Sequence, residues 1–166
     1  MNILASKKIV ILSMTATLIM AFVVMVIVDP MIDGKDGFGV IALQLSFFIN
    51  KAKEIVSSWD VEAFRHLIVF DYIYAFSYMI FFASLISWLE KEKAQPTSIF
   101  PYVAIGAGVF DWIENSLELW FLNDVNAFSP TLFFIHSIFA TLKWLALPVI
   151  VWMIIRLFRI KREQNV

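Results

Sequence analysis

The fold of this chain is decided by residues 106–120, which read GAGVFDWIENSLELW. Four polar residues in this apolar run stand at positions i, i+3, i+4 and i+7, so a helix would place them on one face. They are Asp111, Glu114, Asn115 and Glu118. The run therefore predicts a helix that is apolar enough to enter a membrane and acidic along one side.

The span predicted around this run, residues 99–122, is only marginally stable in lipid. Its eleven Leu, Ile, Val and Phe residues favour insertion by roughly 3–7 kcal/mol, whereas each acid near the middle costs roughly 2.5–3.5 kcal/mol. Asp111 and Glu114 cancel most of the gain, so the acidic face needs partners. Acids in membrane helices usually face a bundle interior or a watery cavity. A purely structural network of ion pairs is the competing interpretation.

The composition indicates a single membrane domain. The chain has 166 residues, of which 61% are hydrophobic, and its mean hydropathy is +0.81, whereas soluble domains are about 45–50% apolar. The net charge of −1 argues against nucleic acid as a partner. The chain has no cysteine, which excludes disulfides, thiol catalysis and cysteine-ligated metals.

The hydrophobic pattern predicts an all-α integral membrane protein, with four transmembrane helices in an antiparallel bundle. The spans are expected at residues 9–28, 66–88, 99–122 and 130–155, and together they form one domain over residues 1–166. An amphipathic interfacial helix is predicted between the first two spans, at residues 38–58, because its apolar positions alternate three and four apart. A turn is predicted at residues 33–37, and Pro148 is expected to kink the last helix. A cleaved signal peptide is the alternative for the first span.

The distribution of basic residues predicts the orientation. They lie before the first span, between the second and third spans, and after the fourth: Lys7, Lys8, Lys91, Lys93, Arg156, Arg159, Lys161 and Arg162. The positive-inside rule then places both termini and the second loop in the cytoplasm. The first loop, with its amphipathic helix, would face outward.

Three of the predicted spans carry polar residues at matching helical spacing, and together these predict a ligand or ion pocket. At 1.5 Å per residue the pocket would have an outer layer and a deeper layer near the midplane. The outer layer would hold Asp71, Glu118 and His136, and the deeper layer Tyr78, Asp111 and Lys143. The nine pocket residues are Asp71, Tyr74, Tyr78, Asp111, Glu114, Asn115, Glu118, His136 and Lys143.

The only lysine of this set, Lys143, is too deep to reach the membrane surface easily and should pair with an acid. Asp111 is the first choice of partner and Glu114 is the second. One ammonium group cannot neutralise four carboxylates, so some of the acids must be protonated, hydrated or bound to a cation. This excess of acid favours a functional site over a purely structural one.

His136 has two interpretations. As a metal ligand it would act with Glu114, Glu118 and Asp71, a set that suits Zn, Mn or non-haem Fe. As a helix-end histidine it would only bond a neighbouring residue. Neither an E-x-x-H nor an H-E-x-x-H motif is present, and a set with only one histidine is weak evidence for a metal site. The sequence therefore predicts no metal and no cofactor.

Three short motifs resemble a pattern in small bacterial membrane proteins of uncharacterised activity. They are D-Y-x-x-x-x-x-Y from Asp71 to Tyr78, D-x-x-E-N from Asp111 to Asn115, and K-W at Lys143. The resemblance covers most of the chain after about residue 37. It implies four spans, an amphipathic segment before the second, and a bacterial inner membrane, but no substrate.

Three functions remain open. The favoured one is an outward-facing intramembrane acidic pocket that binds or moves a cation, a proton or an amphiphile with a cationic head. The alternatives are an interaction or immunity-type subunit with a structural ion-pair network, and a membrane-embedded enzyme acting on a lipid or isoprenoid. No catalytic motif decides whether the chain is an enzyme. Expected partners are the lipid bilayer and a small cationic or amphiphilic ligand, and a homo-oligomer or a partner membrane protein stays open.

Overall fold

A computed structural model describes residues 3–32 and 39–160, and every regular element in these ranges is helical. The α-helices are α1 Lys7–Phe22, α2 Gly39–Gln44, α3 Ile49–Val56, α4 Val61–Glu92, α5 Phe100–Asn123 and α6 Pro130–Arg159. A π-helical segment, Val23–Val28, and a 3-10 turn, Asp29–Ile32, continue α1. The turn predicted at residues 33–37 and the basic residues Lys161 and Arg162 lie outside the described residues.

Three helices in the described ranges are long and apolar enough to cross a membrane. They are Lys7–Val28, Val61–Glu92 and Pro130–Arg159. The chain is therefore a helical membrane protein. The fourth predicted span, α5, has 24 residues but is not among the three, because its acids interrupt the apolar run.

The polar residues lie on the three helices that form the centre of the bundle. α4 packs against α1, α5 and α6, and α5 also packs against α6. α1 is peripheral, since only Val10 and Ser13 of its 16 residues are buried, whereas thirteen of the 32 residues of α4 are buried. A contact between Ser13 Oγ and Ser84 Oγ, 3.4 Å long, joins α1 to α4.

Side chains at the helix ends hold α4 and α5 side by side. Asp60, the N-cap of α4, accepts hydrogen bonds at Oδ1 from the backbone N–H groups of the first turn, each 3.0 Å long. Glu90 accepts hydrogen bonds from the backbone and the hydroxyl of Ser98 in the loop before α5. Arg65 donates to the carbonyl oxygen of Leu122 over 2.6 Å, which places a positive charge at the C-terminus of α5.

The single amphipathic helix predicted at residues 38–58 is wrong as one element, since α2 and α3 are separated by residues 45–48. Phe47 in this break has a φ of 54°, which a continuing right-handed helix does not permit. α2 is held instead by α6, because Trp144 Nε1 donates to Gln44 Oε1 over 3.0 Å. A tertiary contact therefore overrides a helical pattern that continues in the sequence. Residue 38 lies outside the described ranges.

Two apolar clusters lie at opposite ends of the bundle, and the polar residues lie between them. One cluster contains Phe64 of α4, Phe121 of α5 and Phe133 of α6. The other contains Leu89 and Leu157, with Leu4 packed against it. The start of α1 and the ends of α4 and α6 therefore meet at one end, and the described basic residues of the orientation argument lie there.

Candidate polar site

The predicted pocket residues form a buried polar cluster between the two apolar clusters. Its members on α5 and α6 are at most 6% exposed, and Tyr78 of α4 is 5% exposed. Asp71 and Tyr74 are half-buried. The Tyr74 ring packs edge-on against that of Tyr78, with 5.5 Å between ring centroids. We call these nine pocket residues the polar cluster.

Lys143 lies at the centre of the deeper layer and contacts two acids. Its Nζ is 2.8 Å from Asp111 Oδ1 and 2.7 Å from Glu114 Oε2. The Tyr78 hydroxyl donates to the other Asp111 oxygen, Oδ2, over 2.8 Å. The structure thus brings Lys143 to both of the partners that the sequence suggested, and it joins α4, α5 and α6 through one aspartate.

The outer layer consists of two separate pairs. His136 Nε2 lies 3.1 Å from Glu118 Oε1, so α5 and α6 meet here. Asn115 Nδ2 donates to Asp71 Oδ2 over 3.0 Å, so α4 and α5 meet beside it. Asp71 was predicted to share a layer with Glu118 and His136, but its hydrogen bond goes to an amide on the next turn of α5. The neutral amide leaves the charge of an ionised Asp71 uncompensated.

Some atoms of the polar cluster have no hydrogen-bond partner within residues 3–32 and 39–160. They are Glu114 Oε1 and His136 Nδ1, and the neighbouring Ser137 Oγ shares this property. Glu114 Oε2 lies 2.7 Å from Lys143 Nζ and forms an ion pair with it, at an angle unsuited to a hydrogen bond. Glu114 Oε1 is then the carboxylate oxygen that lacks a partner.

Small residues allow the three helices to approach at this depth. An ideal Cβ built on Gly108 would lie 2.7 Å from Met79 Cβ, closer than real carbon atoms come. Ala75, Ala107 and Ala140 are fully buried on the three helices. Because the backbones lie close together, the short side chain of Asp111 can reach both Tyr78 and Lys143.

The charge of the polar cluster does not balance within itself. Four carboxyl groups face one lysine, and His136 beside Glu118 carries a positive charge only if it is protonated. Full ionisation with neutral histidine would leave three negative charges in a medium of low dielectric constant, which is very costly. Protons or a cation must supply the missing positive charge.

One part of the polar cluster has the composition and spacing of a metal site. Glu114, Glu118 and His136 each offer one ligand atom, and these atoms lie within 4.8 Å of one another. Asp71, which the sequence suggested as a fourth ligand, does not belong to this group. The sequence predicted no metal, because this set has one histidine and no metal-binding motif. Spacing along the chain cannot reveal that α5 and α6 bring the three side chains together.

Several partly buried or exposed polar contacts near the site were not anticipated from the sequence. Gln44 of α2 reaches Trp144, the neighbour of Lys143, as described above. Trp112 Nε1 donates to the carbonyl oxygen of Tyr72 over 3.0 Å, and the Tyr72 hydroxyl lies 2.6 Å from Ser116 Oγ. The polar i, i+4 spacing of Trp112 and Ser116 on α5 was visible in the sequence, but nothing indicated the carbonyl partner.

Comparison with known proteins gives no relative: no family model, no curated protein and no solved structure matches this chain. The resemblance to small bacterial membrane proteins therefore rests on the three motifs alone. Function has to be argued from the geometry of the polar cluster.

Proposed function

We propose that this protein binds or moves a small cation or a proton at an acidic site inside the membrane. The observation that carries the proposal is the excess of carboxyl groups over positive groups in the buried polar cluster. Glu114 strengthens it, because it is fully buried and Oε1 lacks a partner in the described part of the chain. A site built only for structure has no need of these surplus acids.

The proposed setting is a four-span bundle in which α5 crosses the membrane with its acidic side turned inward. The burial of Asp111, Glu114 and Glu118 against α4 and α6 supports this placement, since it removes the acids from lipid. We further propose that the basic end of the bundle faces the cytoplasm of a bacterial inner membrane. The outer layer, with Glu118 and His136, would then lie nearer the outer aqueous phase.

The half-buried Asp71 supports an outward route, because it is the most accessible acid of the polar cluster. The aromatic cluster around Phe121 and Phe133 covers the remaining polar residues on that side. A proton or a bare ion needs only a small opening past this cover. A cationic amphiphile would require a much larger rearrangement, so it is the less favoured ligand.

A structural network is the second candidate, and one observation favours it. Most of the acids have a specific partner, as in the Asp71–Asn115 and Glu118–His136 contacts. A fully paired network can specify a bundle without binding anything. The surplus charge and the unpartnered Glu114 oxygen argue against it.

Proton titration of the purified protein separates the two candidates. Wild-type protein and Glu118→Gln are titrated in detergent between about pH 5 and pH 9, the range in which a site that exchanges protons must show itself. The matched control is Glu90→Gln, because Glu90 is also a buried glutamate, 3% exposed, but lies in the α4–α5 loop contact. The thermal unfolding midpoint of each protein is also measured in the presence of Na⁺, K⁺, Mg²⁺, Zn²⁺ or tetraphenylphosphonium.

We expect Glu118→Gln, but not Glu90→Gln, to change the number of protons exchanged or to abolish stabilisation by a cation. A ligand present at 100 times its dissociation constant should raise the unfolding free energy by about 2.7 kcal/mol. If wild-type and Glu118→Gln titrate identically and no cation changes the midpoint, the polar cluster is a structural network.

A further inference from the structure

Three side chains of the polar cluster form a compact group of possible metal ligands. Glu114 and Glu118 lie one helical turn apart on α5, and His136 of α6 approaches the same face. One ligand atom from each lies within 4.8 Å of the others. All three residues are at most 2% exposed, so the group is enclosed by protein.

The closest of these distances suits a shared ion. Donor atoms bound to one ion at 2.0–2.2 Å are separated by about 3.0–3.6 Å when they are neighbours in its coordination sphere. His136 Nε2 and Glu118 Oε1 lie 3.1 Å apart, which is within this range. The third ligand atom, from Glu114, lies within 4.8 Å of both of them, and a bound ion would draw it closer.

The unpartnered oxygen of Glu114 is an independent sign that something is bound. Lys143 holds the other oxygen, Oε2, at 2.7 Å. Among the described residues Oε1 has no donor. A carboxylate oxygen that is buried without a donor is costly, and a cation would remove this cost directly.

We propose that Glu114, Glu118 and His136 bind a divalent first-row transition-metal ion, with Zn²⁺ and Mn²⁺ as its best representatives. Two carboxylates and one imidazole suit these ions, whereas soft ions such as Cu⁺ prefer thiolates, and the chain has no cysteine. Mg²⁺ prefers oxygen ligands and retains several waters, which a buried imidazole does not favour. The inference rests on the proposed function, because it names the cation of the same site.

Lys143 is compatible with an ion at this point. Its ammonium contacts Asp111 and Glu114 in the deeper layer, whereas Glu118 and His136 lie in the outer layer. Four ionised carboxylates and one ammonium carry three surplus negative charges, and a divalent ion reduces the surplus to one. Lys143 would position Glu114 and would not compete for Oε1.

The test measures metal binding by the purified full-length protein after chelator treatment. Zn²⁺ and Mn²⁺ are titrated by calorimetry, and bound metal is counted by elemental analysis, with Mg²⁺ and Ca²⁺ as comparison ions. Glu118→Gln and His136→Gln remove ligands. The matched controls are Glu90→Gln, a buried glutamate elsewhere, and His66→Gln, whose side chain is 66% exposed.

We expect one Zn²⁺ or Mn²⁺ per chain in wild type and in both controls. Loss of either ligand should weaken binding at least tenfold, while elution as a single folded species shows that the variants remain intact. Binding by Glu118→Gln and His136→Gln that equals wild type, or loss of binding in His66→Gln, would overturn the assignment. So would the absence of any Zn²⁺ or Mn²⁺ binding by wild type.

A spectroscopic measurement covers the case in which the ligand variants do not fold. The chain contains two histidines, so His66→Gln leaves His136 as the only imidazole. Pulsed electron paramagnetic resonance of Mn²⁺ bound to this variant should show coupling to an imidazole nitrogen, and its absence rules out His136 as a ligand. If wild type binds neither metal but exchanges protons in the titration described above, the metal assignment fails while the proposed function stands.

Discussion

Asp111 Oδ1 lies 2.8 Å from the Lys143 ammonium, although the two residues are 32 positions apart and lie on different helices. Both side chains are nearly inaccessible, at 2% and 6% exposed. The same ammonium contacts Glu114, so Asp111 and Glu114 share one positive charge. Replacement of one member therefore affects two others.

Lys143→Met should reduce the stability of the folded protein by about 3–5 kcal/mol, because it leaves two buried acids without their cation. Lys143→Met with Asp111→Asn should recover part of the loss, and the further change Glu114→Gln should recover more. Folded yield in detergent and the thermal midpoint provide the measurement.

Lys51→Met is the control for this series, because Lys51 forms an exposed ion pair, with side chains 56% and 69% exposed. Such a pair contributes about 0–1 kcal/mol, so the change should be small. If the combined variants are as unstable as the sum of the single changes, Lys143 does not hold these acids. If Lys143→Met leaves the folded yield and the thermal midpoint unchanged, the lysine lies in water, and this result would favour an open pocket.

Gly108→Ala should destabilise the bundle by about 1–3 kcal/mol, the usual range for overpacking. The new Cβ would lie 2.7 Å from Met79 Cβ and 2.8 Å from Met79 Sδ, so α4 and α5 would have to separate. Gly106→Ala is a closely matched control on the same helix, since its Cβ would meet nothing within 4 Å. It should be neutral or stabilising by up to about 1 kcal/mol. Equal thermal midpoints for the two variants would show that the close approach is absent.

The basic end of the bundle predicts that both termini lie in the cytoplasm. A reporter that is active only outside the cytoplasm should give no signal when fused after residue 166, and a strong signal when inserted after residue 126 in the α5–α6 loop. The physical reason is that translocation of lysine and arginine clusters is disfavoured. A signal at the C-terminus, or silence at both positions, would contradict a fourth span with cytoplasmic termini.

The contacts between helices were predictable where the geometry is regular. Helical spacing fixes which residues share a face, and short loops make α4, α5 and α6 antiparallel neighbours. Equal depth then brings Tyr78 and Lys143 to Asp111, as the sequence suggested. The apolar runs likewise predict helices that the structure contains as α1, α4 and α6.

Other features depend on tertiary contacts that no local pattern encodes. The apolar spacing continues through residues 45–48, but the positive φ of Phe47 and the Gln44–Trp144 hydrogen bond interrupt the helix. Spacing also could not show that Glu114 shares Lys143 or that Asp71 bonds an amide. The grouping of Glu114, Glu118 and His136 depends on how α6 is oriented about its own axis, and the sequence does not determine that orientation.

The short helix α2 should be protected from aqueous reagents, in contrast to α3. Trp144 lies fourteen residues after the start of α6, and its side chain points back toward that start. Gln44 is therefore held at a distance of roughly 15–20 Å from the N-terminal end of α6, measured along the helix. Gln44 is 5% exposed, whereas Asn50 on α3 is exposed.

The chain has no cysteine, so single cysteines can be introduced at these positions without a background. We expect a membrane-impermeant maleimide added from outside to label Asn50→Cys quickly and Gln44→Cys at least about tenfold more slowly, since buried groups react only through local opening. In Trp144→Phe, which removes the hydrogen-bond donor to Gln44, labelling of Gln44→Cys should accelerate. Equal labelling of both cysteines would instead mean that α2 lies on the membrane surface with α3, as the single amphipathic helix predicted.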